Sequence, residues 1–552
     1  MHLILSYIRA DRTMTKYAKI IDNRKCIGCH ACSVACKEEN QVPLGVFRTW
    51  VKYTEKGAFP NTRRNFQVTR CNQCENPPCV TICPVTAMYR RPDGIVEFDG
   101  DKCIGCKACL NACPYDAIYI DPESHTAAKC HFCAHRIDNG LEPACVIVCP
   151  ERAIIVGDMD DPNSEVSVLL AREETTVRKS EQNTLPKLFY IEGDAATLTP
   201  GAAPLRDSHL FADTGYDDKN FTDEQSIKPF SGPIQNAGRF ALNLVQTVYD
   251  VPHERPWGWK VSTYLWTKSL GAGALFLPAF LLGIGALRDI PIYSSAAALL
   301  ALIFIGITTL FLVWDLKRPE RFLTILFRPQ WRSWLTIGAF ILIAYSALGG
   351  IWFLAAVAHL DFLSPLVLLP INLIDLIRAL LNFPVAVLGV LAAIYSAFLF
   401  SQAEGRDLWQ SPLVLLELFL HAVIGGSGIL LLLAAAFSVM PGTLTATEFA
   451  RLFAYIFIGS LLAFLATKLI ADFFIAPPTS NARMGHHAMV RGEFAKLYWA
   501  GIGALLLSLA VGLIAVSQSS LLLGAVAAVF AIPALWLLEH GWVQAGQAPP
   551  NS

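Results

Sequence analysis

The residues with the most specific chemistry in this sequence are its 16 cysteines, all of which lie between Cys26 and Cys149. They form four groups of four: Cys26, Cys29, Cys32 and Cys36; Cys71, Cys74, Cys79 and Cys83; Cys103, Cys106, Cys109 and Cys113; and Cys130, Cys133, Cys145 and Cys149. The first and third groups share the spacing C-x2-C-x2-C-x3-C. Three thiolates on one tight turn can each reach a different iron of a cubane cluster, and the fourth ligand then comes from elsewhere. The pattern predicts four sites with four cysteine ligands each.

The residues around the cysteines separate two kinds of metal site. Pro84, Pro114 and Pro150 directly follow the last cysteine of three groups, as in ferredoxin motifs, whereas Lys37 follows the first group. Zinc is the alternative, because C-x2-C pairs also build zinc sites. Zinc ribbons use separated pairs, however, while the x2-x2-x3 spacing occurs here twice. The spacing therefore favours iron–sulfur clusters.

Short elements must position these cysteines, because residues 20–157 are polar and interrupted by proline and glycine. Two short runs typical of strands, 94–98 and 153–156, flank cysteine groups. We predict an α+β domain over residues 16–191, preceded by a leader at 1–15. The acidic stretch 192–255 is predicted to be a solvated connector, or a strap over the domain.

Three segments between and after the cysteines extend the pattern: CNQCENPPC at 71–79, CPYDAI at 113–118 and GDMDDPNSEVSVLL at 157–170. With them, the domain resembles the four-cluster electron-transfer subunit of the dimethyl sulfoxide and polysulfide reductase families. The resemblance implies a ferredoxin-like fold with four [4Fe-4S] clusters whose ligands cross between groups. The implied sets are Cys26, Cys29, Cys32 with Cys149; Cys130, Cys133, Cys145 with Cys36; Cys71, Cys74, Cys79 with Cys113; and Cys103, Cys106, Cys109 with Cys83.

The rest of the chain has the composition of a membrane protein. The whole sequence is 54% hydrophobic and 16% charged, against about 25% charged residues in ordinary soluble chains. This excludes a purely soluble enzyme, and the net charge of −1 gives no basis for binding nucleic acid. Eight apolar runs have the length of about 20 residues that a bilayer requires: 262–287, 294–316, 334–357, 383–403, 412–438, 448–473, 494–516 and 519–538. We predict an all-α bundle of about eight transmembrane helices over residues 256–545.

The stretch 363–381 is apolar but contains Pro365, Pro370, Asp375 and Arg378. We predict an interfacial or re-entrant segment there, with a ninth span as the alternative.

An even number of spans places both ends of the bundle on one side, together with the cysteine domain. Eleven basic residues lie on that side: Arg255, Lys260, Lys317, Arg318, Arg321, Arg328, Arg332, Arg406, Arg483, Arg491 and Lys496. Three lie on the other: Arg288, Arg378 and Arg451. The positive-inside rule then predicts a multi-pass protein of the cell membrane with its cysteine domain in the cytoplasm. The alternative is a cysteine domain outside the cytoplasm, as in exported members of the resembled family.

The bundle also carries a family pattern, in PWGWKVSTYLWTKSLGAGA at 256–274, DLKRPERF at 315–322 and Tyr395-Ser-Ala in the fourth span. It resembles the NrfD/polysulfide reductase membrane anchors, which implies that anchor and iron–sulfur subunit are fused here. The resemblance also implies a site for quinone, either menaquinone or ubiquinone, near the face that docks the iron–sulfur protein. Haem is not expected, because His421 alone lies well inside a span.

Ionisable residues inside spans are costly and often functional. We predict a quinone and proton site at Tyr264, Lys268, Tyr395, Glu417 and His421. Glu417 and His421 are spaced i, i+4, and so are Lys468 and Asp472. The alternative is that these residues form interhelical ion pairs and hydrogen bonds without function.

These expectations define an electron relay without its own substrate chemistry, since the sequence shows no nucleotide, flavin or pterin motif. The relay would connect membrane quinone to a separate catalytic subunit, which the resemblance implies carries a molybdopterin. One alternative is a proton-pumping module in which Glu417, His421, Lys468 and Asp472 line a path. Another is an anchor with no quinone site.

Overall fold

The computed structural model describes residues 15–56, 62–203, 245–360, 369–438 and 446–552. These residues divide into two compact units. The first comprises the chain up to Val80, Ala87–Glu254 and Pro550–Ser552, and the second comprises Thr81–Thr86 and Arg255–Pro549. The predicted leader, except for its last residue, and residues 204–244 of the predicted connector lie outside the described residues.

The first unit consists of short strands and helices around the cysteine loops. Its strands are β1 Tyr17–Asp22, β2 Thr49–Lys56, β3 Arg63–Arg70, β4 Met88–Arg90, β5 Val96–Phe98, β6 Ile118–Ile120, β7 Ala127–Lys129, β8 Ile154–Asp158, β9 Thr175–Thr176, β10 Leu188–Ile191 and β11 Val245–Tyr249. Its helices are α1 Ala31–Glu39, α2 Pro78–Ile82, which runs two residues into the second unit, α3 Ala108–Ala112, α4 Ala134–Ile137, α5 Ala144–Ile147, α6 Glu165–Arg172 and α7 Ala195–Leu198. This confirms the predicted α+β class.

Two larger sheets and two hairpins connect these strands. One sheet has the order β8-β1-β10-β9, in which β1 is parallel to β10 and antiparallel to β8. The other is antiparallel with the order β11-β2-β3, and β4–β5 and β6–β7 form two-stranded pairs. Ile21, Val51, Val68 and Tyr190 from the two larger sheets share one hydrophobic core with Cys32. Strand packing thus fixes the positions of cysteine side chains.

The last two residues of the sequence are buried in the first unit. Lys52 donates a hydrogen bond from Nζ to the carbonyl oxygen of Ser552 at 3.0 Å. The Arg178 guanidinium donates to the carbonyl oxygen of Asn551 at 2.6 Å. No local sequence signal indicates this position.

The second unit is a bundle of long apolar helices, labelled α8 Trp259–Gly283, α9 Pro291–Trp314, α11 Trp334–Val357, α12 Ile371–Gln402, α13 Leu413–Phe437, α14 Ala446–Leu469, α16 Ala495–Ser517 and α17 Leu521–Gln547. Two short helices, α10 Thr324–Phe327 and α15 Ser480–Val490, lie between them. Eight helices of the described residues are long and apolar enough to cross a membrane, which confirms the predicted number. The chain is a multi-pass membrane protein.

The prediction for 363–381 was wrong where the structure describes it, because Ile371–Leu381 belongs to the 32-residue helix α12. The charged residues that argued against a helix have partners in the loops that adjoin other helices. Asp375 accepts a hydrogen bond from His359 at 2.7 Å, and Arg378 forms an ion pair with Asp289. Residues 363–368 lie outside the described part of the chain.

The last span was predicted too short. Its apolar run ends before Glu539, but α17 continues to Gln547, so that His540 lies inside the helix rather than beyond its end. Gln547 accepts a hydrogen bond from the backbone of Trp257 at 2.9 Å. The start of α8 and the end of α17 therefore meet at one end of the bundle, here called the proximal end.

Glycines permit a close contact between helices α8 and α13. A Cβ atom on Gly273 of α8 would lie 1.8 Å from the carbonyl oxygen of Ala422 on α13. A Cβ on Gly426 would lie 2.2 Å from the backbone of Gly273. Small residues of this kind allow the backbones of membrane helices to approach each other.

Candidate functional site

The first implied cluster set lines a single cavity. Cys26, Cys29, Cys32 and Cys149 surround an empty volume of about 360 Å³. Gly28 lies between the first two cysteines with φ +71°, and a Cβ there would meet the Phe66 ring at 2.4 Å, so both conformation and space require glycine. The four thiols that the resemblance groups together are therefore arranged around one space.

The second implied set is brought together in the same unit. The thiol of Cys36 interacts electrostatically with Cys130, Cys133 and Cys145, and burial raises its pKa to about 12. Burial also raises the pKa of Cys130, but the positive charges of Lys19 and Arg70 outweigh this effect and lower it to about 7. These cations favour the thiolate form, which is the form that binds metals.

Arg70 was not among the predicted site residues, yet it is a buried cation beside the cysteines. It is fully buried, and its Nη1 lies 3.0 Å from Cys145 Sγ. Its Nε and Nη2 find no hydrogen-bond partner among the residues that the structure describes. A buried guanidinium requires negative charge and acceptors. Thiolate-ligated clusters supply both, so the residues present fit iron–sulfur clusters.

The third implied set is also close together. Cys74 interacts electrostatically with Cys71, Cys79 and Cys113, and burial raises its pKa well above the usual value for a thiol. Cys113 follows α3, whose residues are all buried. These four thiols are neighbours, and their assignment to one cluster stays a prediction from the resemblance.

The fourth implied set contains Cys103, Cys106, Cys109 and Cys83. Cys103 Sγ accepts hydrogen bonds from the backbone of Gly105 and of Ala127, each at 3.4 Å. Cys83 belongs to the second unit. This ligand set stays a prediction from the resemblance.

The neighbours of Cys83 are bonded to the segment that begins helix α11. Ser333 donates from its hydroxyl to the carbonyl oxygen of Ile82 at 2.7 Å. The hydroxyl of Thr336 and the backbone of Gln330 donate to the carbonyl oxygen of Pro84 at 3.1 and 3.0 Å. Residues 82–84 are thereby fixed to the membrane bundle.

Of the residues predicted for quinone, Lys268 and Tyr395 lie together and Tyr264 is buried on the same helix as Lys268. Lys268 is fully buried on α8, and its Nζ lies 4.7 Å from the centre of the Tyr395 ring. It donates hydrogen bonds to the carbonyl oxygen of Ala393 at 2.7 Å and to Ser396 Oγ at 2.9 Å. An ammonium group has three protons, so one donor remains for a ligand.

Glu417 and His421 lie in a second group, together with two residues from other helices. Lys468 of α14 forms an ion pair with Glu417 at 2.8 Å. Glu539 of α17 lies 2.6 Å from Nδ1 of His421, and all four side chains line a cavity of about 300 Å³. Glu539 was not among the predicted site residues, because it follows the last apolar run. Its signal was an acidic residue adjoining that run.

The two groups are connected through Glu539, which interacts electrostatically with Lys268. His421 Nε2 and Glu539 Oε2 are buried without a hydrogen-bond partner in the described part of the chain. Each of the pairs Glu417–Lys468 and His421–Glu539 joins two helices. The unpaired atoms of His421 and Glu539 remain available to a ligand or to water.

Comparison with known proteins agrees with both halves of the chain. Residues 62–159 match the family described as 4Fe-4S dicluster domain, and residues 247–546 match polysulphide reductase, NrfD. A tetrathionate reductase subunit of Salmonella typhimurium is 47% identical over 189 residues, which cover 34% of this chain and 76% of that protein. A polysulfide reductase polypeptide of Wolinella succinogenes is 45% identical over 179 residues, which cover 32% and 94%. A putative dimethyl sulfoxide reductase iron–sulfur subunit of Halobacterium salinarum is 40% identical over 227 residues, which cover 36% and 87%. These matches confirm that an iron–sulfur subunit and a membrane anchor share one chain.

Proposed function

Because the chain belongs to the NrfD polysulphide reductase family and its first unit to the iron–sulfur subunits of reductases, we propose that it relays electrons between membrane quinone and a separate catalytic subunit. Four [4Fe-4S] clusters, held by the four implied cysteine sets, would each accept and donate one electron when bound. The catalytic partner is proposed to be a molybdopterin subunit, as the resemblance implies.

The observation that carries the proposal is the path from Cys83 to Lys268 within the bundle. Thr336, which is bonded to the carbonyl of Pro84, lies two residues before Gly338 on α11, a rise of about 3 Å. A Cβ on Gly338 would lie 2.2 Å from the Tyr395 ring, and that ring faces Lys268. A proposed cluster ligand and the proposed quinone residues are thus neighbours through one helix.

Lys268 and Tyr395 would bind and orient the quinone head. The remaining proton of the Lys268 ammonium can donate to a quinone carbonyl, and the Tyr395 hydroxyl can do the same. Burial excludes water from both groups, which strengthens such hydrogen bonds.

The opposite end of the relay would be the cavity of the first cysteine set. Cys29 is exposed, and the apolar side chains of Ile27 and Val148 beside these cysteines are 56% and 40% exposed. Exposed apolar residues around a cluster ligand are suited to a docked protein. We place the catalytic subunit there.

Two measurements on the purified full chain test the relay. Bound iron should be about sixteen atoms per chain, and Cys149→Ser should change the EPR signal of one cluster. Clusters reduced with dithionite, with the excess removed, should be reoxidised by a short-chain menaquinone or ubiquinone analogue. Lys268→Met should slow this at least ten-fold, whereas Lys260→Met, on the same helix but with a part-exposed side chain, should not. Iron near eight atoms, or equal rates for Lys268→Met and wild type, would contradict the proposal.

The first unit is proposed to lie in the cytoplasm, because most basic residues flank the proximal end of the bundle. Proteolysis of the first unit in membrane vesicles of known orientation tests this. Cleavage only in vesicles that expose the periplasmic side would reverse the assignment.

A further inference from the structure

Ionisable residues in the second unit form a continuous series that begins at the Glu539–His421 pair. The pair lies 2.6 Å apart and both side chains are almost completely buried. His421 is eight residues from the start of α13 and Glu539 is eight residues from the end of α17, which is about 12 Å of helix in each case. The pair therefore lies at one depth below the proximal end.

The next members of the series lie across the cavity of about 300 Å³ from this pair. Lys468 and Glu417 form their ion pair there with side chains only 8% and 13% exposed. Four of the eight residues that line the cavity are ionisable, and two of them, His421 and Glu539, each have a buried polar atom without a hydrogen-bond partner among the described residues. A cavity of this character can hold water that bridges the two pairs.

Asp472 continues the series towards the aqueous phase. It interacts electrostatically with Lys468, and it lies in a π-helical turn, Ile470–Phe474, a rare feature that is frequent at functional sites. Tyr498 donates a hydrogen bond to Asp472 at 2.8 Å, and His486 of α15 lies 3.9 Å away with a side chain that is 22% exposed. The side-chain exposure is 3% for Glu539, 8% for Asp472 and 22% for His486, so that the outermost residue is the most exposed.

The opposite direction offers no such series in α13 or α17. The remainder of α13 beyond His421 and the part of α17 before Glu539 contain only apolar residues, glycine, serine and proline. At the opposite end of the bundle, here called the distal end, the described residues form the pairs His359–Asp375 and Arg378–Asp289, and Asp375 is 58% exposed. The series therefore opens towards the proximal end.

We propose that this series is a proton route that connects the quinone site with water at the proximal end, through Glu539, His421, Lys468, Glu417 and Asp472. The inference rests on the proposed quinone exchange. Reduction of one quinone takes two electrons from two reduced clusters and two protons from the route, which gives quinol; oxidation of quinol returns both. Protons are exchanged on the side of the proximal end alone, and the bundle does not move them across the membrane.

The experiment uses the full chain with its clusters in proteoliposomes of known orientation. Dithionite-reduced clusters are reoxidised by the quinone analogue while pH dyes report proton uptake inside and outside. We expect two protons per quinone to be taken up on the proximal side. Asp472→Asn should slow quinone-dependent reoxidation at least ten-fold without changing reoxidation by ferricyanide, which needs no proton. Asp472→Glu should restore the rate, and Asp375→Asn at the distal end should match wild type.

Each result bears on the route. Equal quinone rates for Asp472→Asn and wild type, with cluster EPR signals unchanged, would overturn it while leaving the proposed function intact. Proton uptake on the distal side would overturn it in favour of a proton-pumping module. A wild-type chain that quinone does not reoxidise would overturn the proposed function and the route together.

Discussion

Replacing Arg70 by methionine removes a buried positive charge while keeping most of the side-chain volume. The guanidinium lies 3.0 Å from Cys145 Sγ and also interacts electrostatically with Cys32 and Cys130. On the proposed ligand sets, it is therefore adjacent to two clusters. Since a reduced cluster carries one more negative charge than an oxidised one, the cation favours reduction.

The size of the effect follows from Coulomb's law. At a separation of roughly 6 Å and an effective dielectric constant of about 20, a unit charge changes the energy of one added electron by about 3 kcal/mol. For a one-electron couple, this corresponds to about 120 mV. Arg70→Met should lower the reduction potential of at least one cluster by that amount, and Arg70→Lys, which keeps the charge, should have a smaller effect.

The assay is an EPR-monitored redox titration of the purified chain, with bound iron measured in parallel. Arg64→Met is the matched control, because Arg64 lies on the same strand β3 but is 48% exposed and paired with Glu55. It should shift no potential by more than about 20 mV, since exposed charges are screened. Unchanged potentials in Arg70→Met, with full iron content, would refute the electrostatic argument.

Two further predictions concern the stability of the two units. Gly273→Ala should destabilise the bundle by about 1–3 kcal/mol and lower its melting temperature in detergent, because the new Cβ would overlap Ala422. The control is Gly306→Ala, whose Cβ would have no atom within 4 Å and should leave the melting temperature unchanged. Equal melting temperatures for the two variants would contradict the packing argument. Burial lowers the pKa of His253, but the carboxylates of Asp250 and Asp116, at 3.8 and 4.0 Å, outweigh this, so its pKa lies above 6.5. Its charged form therefore stabilises the fold fully below about pH 6.5, and this contribution is lost as the pH rises through the raised pKa. His253→Gln should lower the melting temperature more at about pH 6 than at about pH 9, and an equal loss at both would show that the charge is not involved.

The cysteine groups and the membrane spans were predicted from the sequence because each depends on residues that are close together in the chain. The cysteine groups are recognisable because a cubane needs three ligands on one turn. The eight spans are recognisable because a bilayer fixes their length. Neither inference requires knowledge of which segments meet in space.

Partners distant in sequence account for what was missed. The start of α12 was misjudged because Asp375 and Arg378 are paired with His359 and Asp289, which the sequence does not connect to them. Glu539 was missed because its partner His421 is 118 positions away. The importance of Arg70 likewise depends on thiols that only the fold brings to it.

The segment around Cys83 has a consequence for biosynthesis. Ile82 and its hydrogen-bond donor Ser333 are 251 positions apart. At about 5–20 residues per second, a ribosome needs roughly 12–50 s to make that intervening chain, which includes the first two spans. During this interval the carbonyl groups of Ile82 and Pro84 have no hydrogen bond from Ser333 or Thr336. A nascent chain halted at Glu254 lacks the hydrogen-bond donors of residues 82–84, so we expect the set that contains Cys83 to be completed only after membrane insertion of the first two spans.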